Sequence, residues 1–267
     1  MPRNAFWETE KRRLRQATRA MRQDQPGAPE ELGAVLARIG AAARAVDDRR
    51  LARRARGLAR GVSRVLAFDS DRAMLARVAR LGLVSPETAA GLEARWEERA
   101  RERRESLRRD AARRATRVLR HAVSRRAKRS NRALDSRLDE AARRNVEKLW
   151  PARGAKGDRD LSRYRRLCRR SRELALARAA SGVPSEAAEA DQAAELALER
   201  WHATRRFERR LGRERKDAEI RGSVVLASEI DRLLAALEGA VADARRLALE
   251  EVTRATANVL SFERRSA

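Results

Sequence analysis

Arg12, Arg15, Arg19 and Arg22 stand at offsets 0, 3, 7 and 10. On an α-helix turning about 100° per residue they fall within an arc of about 80°, forming one stripe of guanidinium groups. Leu14, Ala17 and Met21 take the other side, where they can face a core. The spacing returns as Ser162, Arg165, Arg169 and Arg172, with Tyr164, Leu167 and Cys168 on the apolar side. Each copy has an acid four residues before its first member, Glu8 and Asp158. Like charges on one helical stripe repel, so the arrangement costs stability until a multivalent anion lies along it. Arginine suits that task because its planar fork donates two hydrogen bonds to a single phosphate. The plainer reading is a solvated basic face balanced by acids on neighbouring helices. Recurrence of the spacing at two places in the chain favours anion binding.

Residues 108–132 hold eleven basic side chains and one acid, Asp110. Arg113, Arg117 and Arg120, at helical 3/4 spacing, are candidates to extend the anion surface; a solvated face fits them equally well. The run Glu186 to Glu199 contains no basic residue and either covers basic helices within the fold, the favoured reading, or repels nucleic acid from that side. No constellation for catalysis or metal binding emerges. Cys168, His121 and His202 lack partners at ligand spacing. There is no glycine-rich phosphate loop and no Ser-His-Asp order to propose. The expectation is a protein without catalytic residues, metal or cofactor.

The elements that must carry the stripes follow from composition. The chain has 267 residues, 42% of them hydrophobic, enough to bury a core. Only six prolines and thirteen glycines interrupt sequence dominated by Ala, Leu, Arg and Glu, all strong helix formers. The pattern predicts an all-α fold. A first helix is expected over 5–23 with Asn4 as N-cap, then a break at Pro26-Gly27-Ala28-Pro29. A long helical stretch from Glu30 has weak points at Gly40, Asp47-Asp48, Gly57 and Gly61, and Asp69-Ser70-Asp71 reads as a turn. Ser85-Pro86-Glu87 starts another helix, with a break at Asp110. Asn131 is expected to cap a helix reaching Trp150, and 151–158 is the linker. Helices at 159–180, 185–211 and 214–264, the last interrupted near Gly222, complete the pattern. The simplest architecture is one domain, 1–267, with a helical half at 5–150 and another at 159–265, each an antiparallel bundle.

Charge gives the stripes a setting. The net formal charge is +25, and 59 of the 64 basic residues are Arg. Residues 186–267 carry 15 basic and 16 acidic side chains, so the whole excess lies in residues 1–185. A codon preference would account for arginine over lysine, but not for that uneven placement. An excess of this kind calls for an anionic partner: nucleic acid, polyphosphate or an anionic membrane surface. No uncharged stretch exceeds the eight residues from Ala255 to Phe262, so no membrane span is expected. The first residues lack an apolar signal core and there is a single cysteine, so the cytoplasm is the expected location.

The two stripe segments, Arg12 to Arg22 and Ser162 to Arg172, resemble the CHAD family, the conserved histidine α-helical domains. Each half of that family opens on a helix of the form His-x-x-Arg-x-x-x-Arg/Lys-x-x-Arg. A second helix follows, often ending in Leu-Gly with an acid nearby; Ile39-Gly40 with Asp47, and Leu211-Gly212 with Asp217, are loose versions. The resemblance spans about residues 5–265, with motifs of moderate specificity. It implies two helical bundles related by a pseudo-twofold repeat, a basic central channel, binding of inorganic polyphosphate and association with polyphosphate granules. The chain departs from the family where Arg12 and Ser162 replace both motif histidines. An arginine-only site would bind a polyanion with less response to pH near neutrality.

Glu8-Thr-Glu10-Lys-Arg12 also matches the Glu-x-Glu-x-Lys/Arg strand motif of triphosphate tunnel enzymes, but that chemistry needs carboxylates from many barrel strands and no strands follow. The leading expectation is therefore a non-catalytic binder of inorganic polyphosphate or a similar phosphate polyanion. Arg12, Arg15, Arg19, Arg22, Arg165, Arg169, Arg172, Arg113, Arg117 and Arg120 would hold the phosphates. The alternative is a nucleic-acid-binding helical protein using the same surface. Nine aromatic residues, mostly at core spacing, weaken recognition by base stacking. The oligomeric state leaves no trace in the sequence.

Overall fold

The computed structural model describes residues 5–128, 134–149, 157–181 and 192–266. Among them there are nine helices and no strand: α1 (Ala5–Arg22), α2 (Ala28–Ala45), α3 (Arg49–Arg80), α4 (Pro86–Ala112), α5 (Arg114–Lys128), α6 (Leu134–Leu149), α7 (Asp158–Ala180), α8 (Gln192–Ile220) and α9 (Val224–Ser266). The all-α expectation holds. The expected caps at Asn4 and Asn131, Trp150, most of 151–158 and the first part of the acidic run lie outside the described residues.

The helix ends have a common chemistry. α1, α2, α3 and α8 each close through a residue of positive φ: Asp24, Asp47, Gly82 and Gly222. In each case the next N–H reaches back five residues to a carbonyl: Gln25 to Ala20, Asp48 to Ala43, Leu83 to Val78 and Ser223 to Ala218, at 2.7–3.1 Å. These are Schellman closures, and they satisfy carbonyls that the helix leaves orphaned. Two use aspartate in the left-handed region, where a short polar side chain is tolerated. Asp48 then starts α3, accepting the Leu51 N–H at 3.0 Å. Ser85 does the same for α4, its Oγ accepting the Thr88 N–H at 3.2 Å with Pro86 in the first helical position.

Three expected breaks are absent. α3 runs without interruption through Gly57, Gly61 and Asp69-Ser70-Asp71. Asp71 is fully buried and bound by arginines of α8, so tertiary pairing overrides its weak helix propensity. Gly61 serves close approach instead: a Cβ there would lie 3.2 Å from Cδ1 of Leu107 on α4. The expected boundary between 211 and 214 is also wrong. α8 continues through Leu211-Gly212 to Ile220 and turns at Gly222, because Leu211, Glu214 and Ala218 all face inward. Neither Ile39-Gly40 nor Leu211-Gly212 ends its helix. The break foreseen at Asp110 occurs at Arg113, where the Asp110 carbonyl accepts the Thr116 hydroxyl at 2.6 Å.

The chain divides into two compact units, and each takes residues from both sides of the 151–158 segment. The first comprises Met1–Leu66, Arg101–Pro151 and Arg166–Glu189; the second comprises Ala67–Ala100, Ala152–Arg165 and Ala190–Ala267. In the first, α1 packs on α2 and α5, and α2 on α6. Its core includes Trp7, Leu14, Leu36, Ile39, Val65 and Leu119. Gly33 brings α2 close to α3, its missing Cβ being 3.1 Å from Cγ1 of Val62. In the second, α8 and α9 form a helical hairpin. The core there holds Leu92, Trp96, Phe207, Leu211, Ile230 and Leu233, with Trp96 edge-on to Phe207 at 5.8 Å.

Candidate functional site

Part of the arginine excess is structural. Three buried carboxylates are each held by two or more arginines. Glu10 in the first unit accepts from Arg13 at 2.8 Å and Arg38 at 2.9 Å, both on Oε1. In the second unit, Asp71 is bound by Arg206 and Arg210, each at 2.9 Å. Glu214 accepts the Trp96 indole N–H at 3.0 Å and is paired with Arg99 and Arg95. Such buried ions persist only when paired and hydrogen-bonded. Burial pushes the Asp71 carboxyl above the usual range, against the pull of its arginines. Around Asp48, burial acts in the same direction but is outweighed: the Leu51 N–H and Arg126 hold that carboxyl below its ordinary value.

The α1 stripe is a different case. Leu14, Ala17 and Met21 are buried as expected, so Arg12, Arg15, Arg19 and Arg22 are exposed along the opposite side. Glu8, the acid preceding them, is paired with Lys11 at 3.1 Å. Among the described residues no carboxylate pairs with any of the four, nor with Arg117 or Arg120 on α5. Because α1 packs on α5, Arg15, Arg22 and Arg117 come near enough to Arg120 for their charges to act on it. Arg120 is half-buried and its Nε is shielded from water without an acceptor. Burial, followed by the charges of Arg22, Arg15 and Arg117, pulls its pKa below the ordinary guanidinium value. Arg22 and Arg108 tie the end of α1 to the end of α4, Arg22 donating to the Ala111 carbonyl at 3.3 Å and Arg108 to the Arg22 carbonyl at 3.2 Å. A cluster of positive charge with shielded donors and no carboxylate offers one kind of chemistry, the binding of an anion with several charges. Arg113 stands outside it, at the α4–α5 break and 3.2 Å from Asp110.

The α7 stripe is more neutralised. Arg165 belongs to the second unit and donates to Glu199 at 2.8 Å. Asp158, at the start of the same helix, accepts from Arg205 at 2.9 Å and Arg245 at 3.0 Å. Arg169 and Arg172 belong to the first unit and are exposed, Arg169 lying 3.5 Å from Glu173. Tyr164 and Cys168 are buried on the apolar side, as their spacing implied.

Sequence reading passed over other basic groups that the fold assembles. Arg170 in the first unit is half-buried among Arg44, Arg144 and Arg56. In the second unit, His202 shares its surroundings with Arg165, Arg206 and Arg209. Burial foremost, then Arg165, lowers its pKa to about 4, with Glu199 opposing. A signal for the latter exists on α8, since Glu199, His202, Arg206 and Arg209 repeat the 0, 3, 7, 10 spacing. It is masked by the near-zero net charge of that half of the chain. Among the described residues, no group of His, Cys, Asp and Glu is arranged to hold a metal ion. No described helix is long and apolar enough to cross a membrane.

No family model and no curated protein matches this chain. Among solved structures it is similar to PptA from Streptomyces chartreusis, at 16% identity and a TM-score of 0.72, over 94% of this chain and 99% of that one. At this identity the likeness shows the fold alone, an all-α fold shared over nearly the whole of both chains.

Proposed function

We propose that this protein is a non-catalytic binder of inorganic polyphosphate or a similar phosphate polyanion, a divergent CHAD-type domain acting in the cytoplasm at polyphosphate granules. The observation that carries the reading is the cluster of Arg15, Arg22, Arg117 and Arg120, which holds unneutralised charge against the cost of repulsion. Guanidinium groups at helical spacing match a chain of phosphates, each able to accept a bidentate pair. Binding is electrostatic: every phosphate engaged releases condensed counterions, so affinity falls steeply with salt. Loss of the motif histidines leaves this mechanism intact, because arginine keeps its charge throughout the physiological range.

The test is a competition between long-chain polyphosphate and duplex DNA of equal charge at about 150 mM salt. Preference for polyphosphate, weakened in R15Q/R120Q with helicity retained, supports the reading. Preference for DNA, or the absence of polyphosphate binding, overturns it.

A further inference from the structure

α7 carries an arginine outside its stripe. Arg170 lies in the first unit, where α6 and α7 are joined by the Asn145 amide, which donates to the Leu167 carbonyl at 3.0 Å and to the Ser171 hydroxyl at 2.8 Å. Arg178 of α7 adds an ion pair to Asp139 of α6 at 2.8 Å. From α2, Arg44 reaches Glu173 of α7 at 2.6 Å. Arg170 sits among these contacts, half-buried, and its Nε and that of Arg44 are both shielded from water with no acceptor.

The local charge does not balance. Glu173 is the carboxylate whose charge opposes the fields of neighbouring arginines at Arg170, and it already accepts from Arg44 and lies 3.5 Å from Arg169. Arg144 is engaged by Glu140 on its own helix, at 2.8 Å. Arg56, on α3, is exposed and unpaired among the described residues. The fields of Arg44, Arg144 and Arg56 therefore act on Arg170 against that of Glu173, adding to the effect of its burial. A half-buried guanidinium with an unanswered donor and same-sign neighbours on three other helices is destabilising unless an anion completes it.

From this arrangement we propose a second anion site in the first unit, in which Arg170, Arg44 and Arg56 hold one phosphate group of an inorganic phosphate chain. The inference rests on the polyanion reading above and adds a distinct anchoring point to the cluster at Arg15 and Arg120. A compact tetrahedral oxyanion fits because it can accept from several guanidinium forks at once, whereas a carboxylate offers only two oxygens. Glu173 keeps Arg44 aligned between binding events.

The experiment is calorimetric titration of the full chain with sodium tripolyphosphate, using R56Q, R170Q and R15Q/R120Q alongside the wild type. R56Q and R170Q are expected to weaken tripolyphosphate binding about tenfold, a loss of one charge-assisted contact. Wild-type affinity in both overturns the inference. Should R170Q lose helicity, R56Q decides, since the Arg56 side chain is exposed. Altered binding in R15Q/R120Q with unaltered binding in R56Q rejects this site while the polyanion reading stands. Absence of any tripolyphosphate heat rejects the site too, and the wider reading falls only if long-chain polyphosphate also fails to bind.

Discussion

Arg210 Nε lies 2.9 Å from Oδ2 of Asp71, a carboxylate with no exposure to solvent, and the same guanidinium covers the Phe68 ring at 3.7 Å. The pair joins α8 to α3 inside the second unit. It also explains why Asp71, in a segment that reads as a turn, sits in the middle of a helix. Arg206 binds the other oxygen at 2.9 Å, so one buried negative charge faces two arginines. Removing it strands both. D71A is expected to destabilise the protein by about 3–5 kcal/mol, the range for a buried pair broken from one side. D71N keeps acceptor and donor capacity and should cost less. Urea denaturation of the two variants measures the difference; equal, small losses would mean water already screens the site.

The glycines of α2 and α3 divide into two kinds. Gly57 has nothing within 4 Å of the position a Cβ would take, whereas at Gly33 the Val62 methyl is 3.1 Å away. G57A should stabilise by about 0.5–1 kcal/mol, through helix propensity and a less flexible unfolded chain. G33A gains the same propensity but must push Val62, so it should be neutral or destabilising. G33A/V62A tests that cause: the double variant should recover part of the glycine penalty relative to V62A alone. Thermal melts of the set decide it.

These details show which physics a sequence displays. Helix content was legible because Ala, Leu, Arg and Glu dominate throughout, and α1 was placed to within a residue by its apolar positions at Leu14, Ala17 and Met21. Starts were clear where a cap and a proline coincide, as at Ser85-Pro86. Stops were not. Gly57, Gly61 and Gly212 look like the glycines at 82 and 222, and only the fold separates close approach or helix interior from a positive φ. The α1 half of the candidate site was legible because it is local, four arginines on one helix. Its union with Arg117 and Arg120 needed the packing of α5 on α1, and the Arg170 group needed four helices. Periodicity within a helix carries no record of which helices meet.

His202 gives the protein an acid-sensitive element. Burial and the neighbouring Arg165 keep its imidazole neutral in the folded chain down to about pH 4, against 6.5 for the free group. The unfolded chain takes up a proton below 6.5 that the folded chain refuses, so stability falls as pH drops through that window and the loss levels off below about 4. Allowing for partial exposure, the contribution should reach about 1 kcal/mol between roughly pH 7 and 5. H202Q should flatten the dependence in that interval. A wild-type slope that persists unchanged in H202Q would assign the acid sensitivity to other groups.

Salt should separate the arginines that bind from those that hold the fold. Arg15 and Arg120 have no carboxylate partner among the described residues, while Arg38 is committed to buried Glu10 at 2.9 Å. If the first pair engages phosphates, the slope of log affinity against log salt for polyphosphate should become shallower by roughly 0.7–1 for each arginine replaced in R15Q and R120Q. The same substitutions relieve repulsion, so without ligand each should raise stability slightly, by about 0.2–0.5 kcal/mol. R38Q should do the reverse, leaving the slope unchanged and destabilising the chain by leaving buried Glu10 with Arg13 as its remaining ion-pair partner. Binding isotherms across a salt series, with a melt of each variant, read both quantities. A slope unchanged in R15Q and R120Q would remove the α1–α5 cluster from the binding surface, whatever its charge.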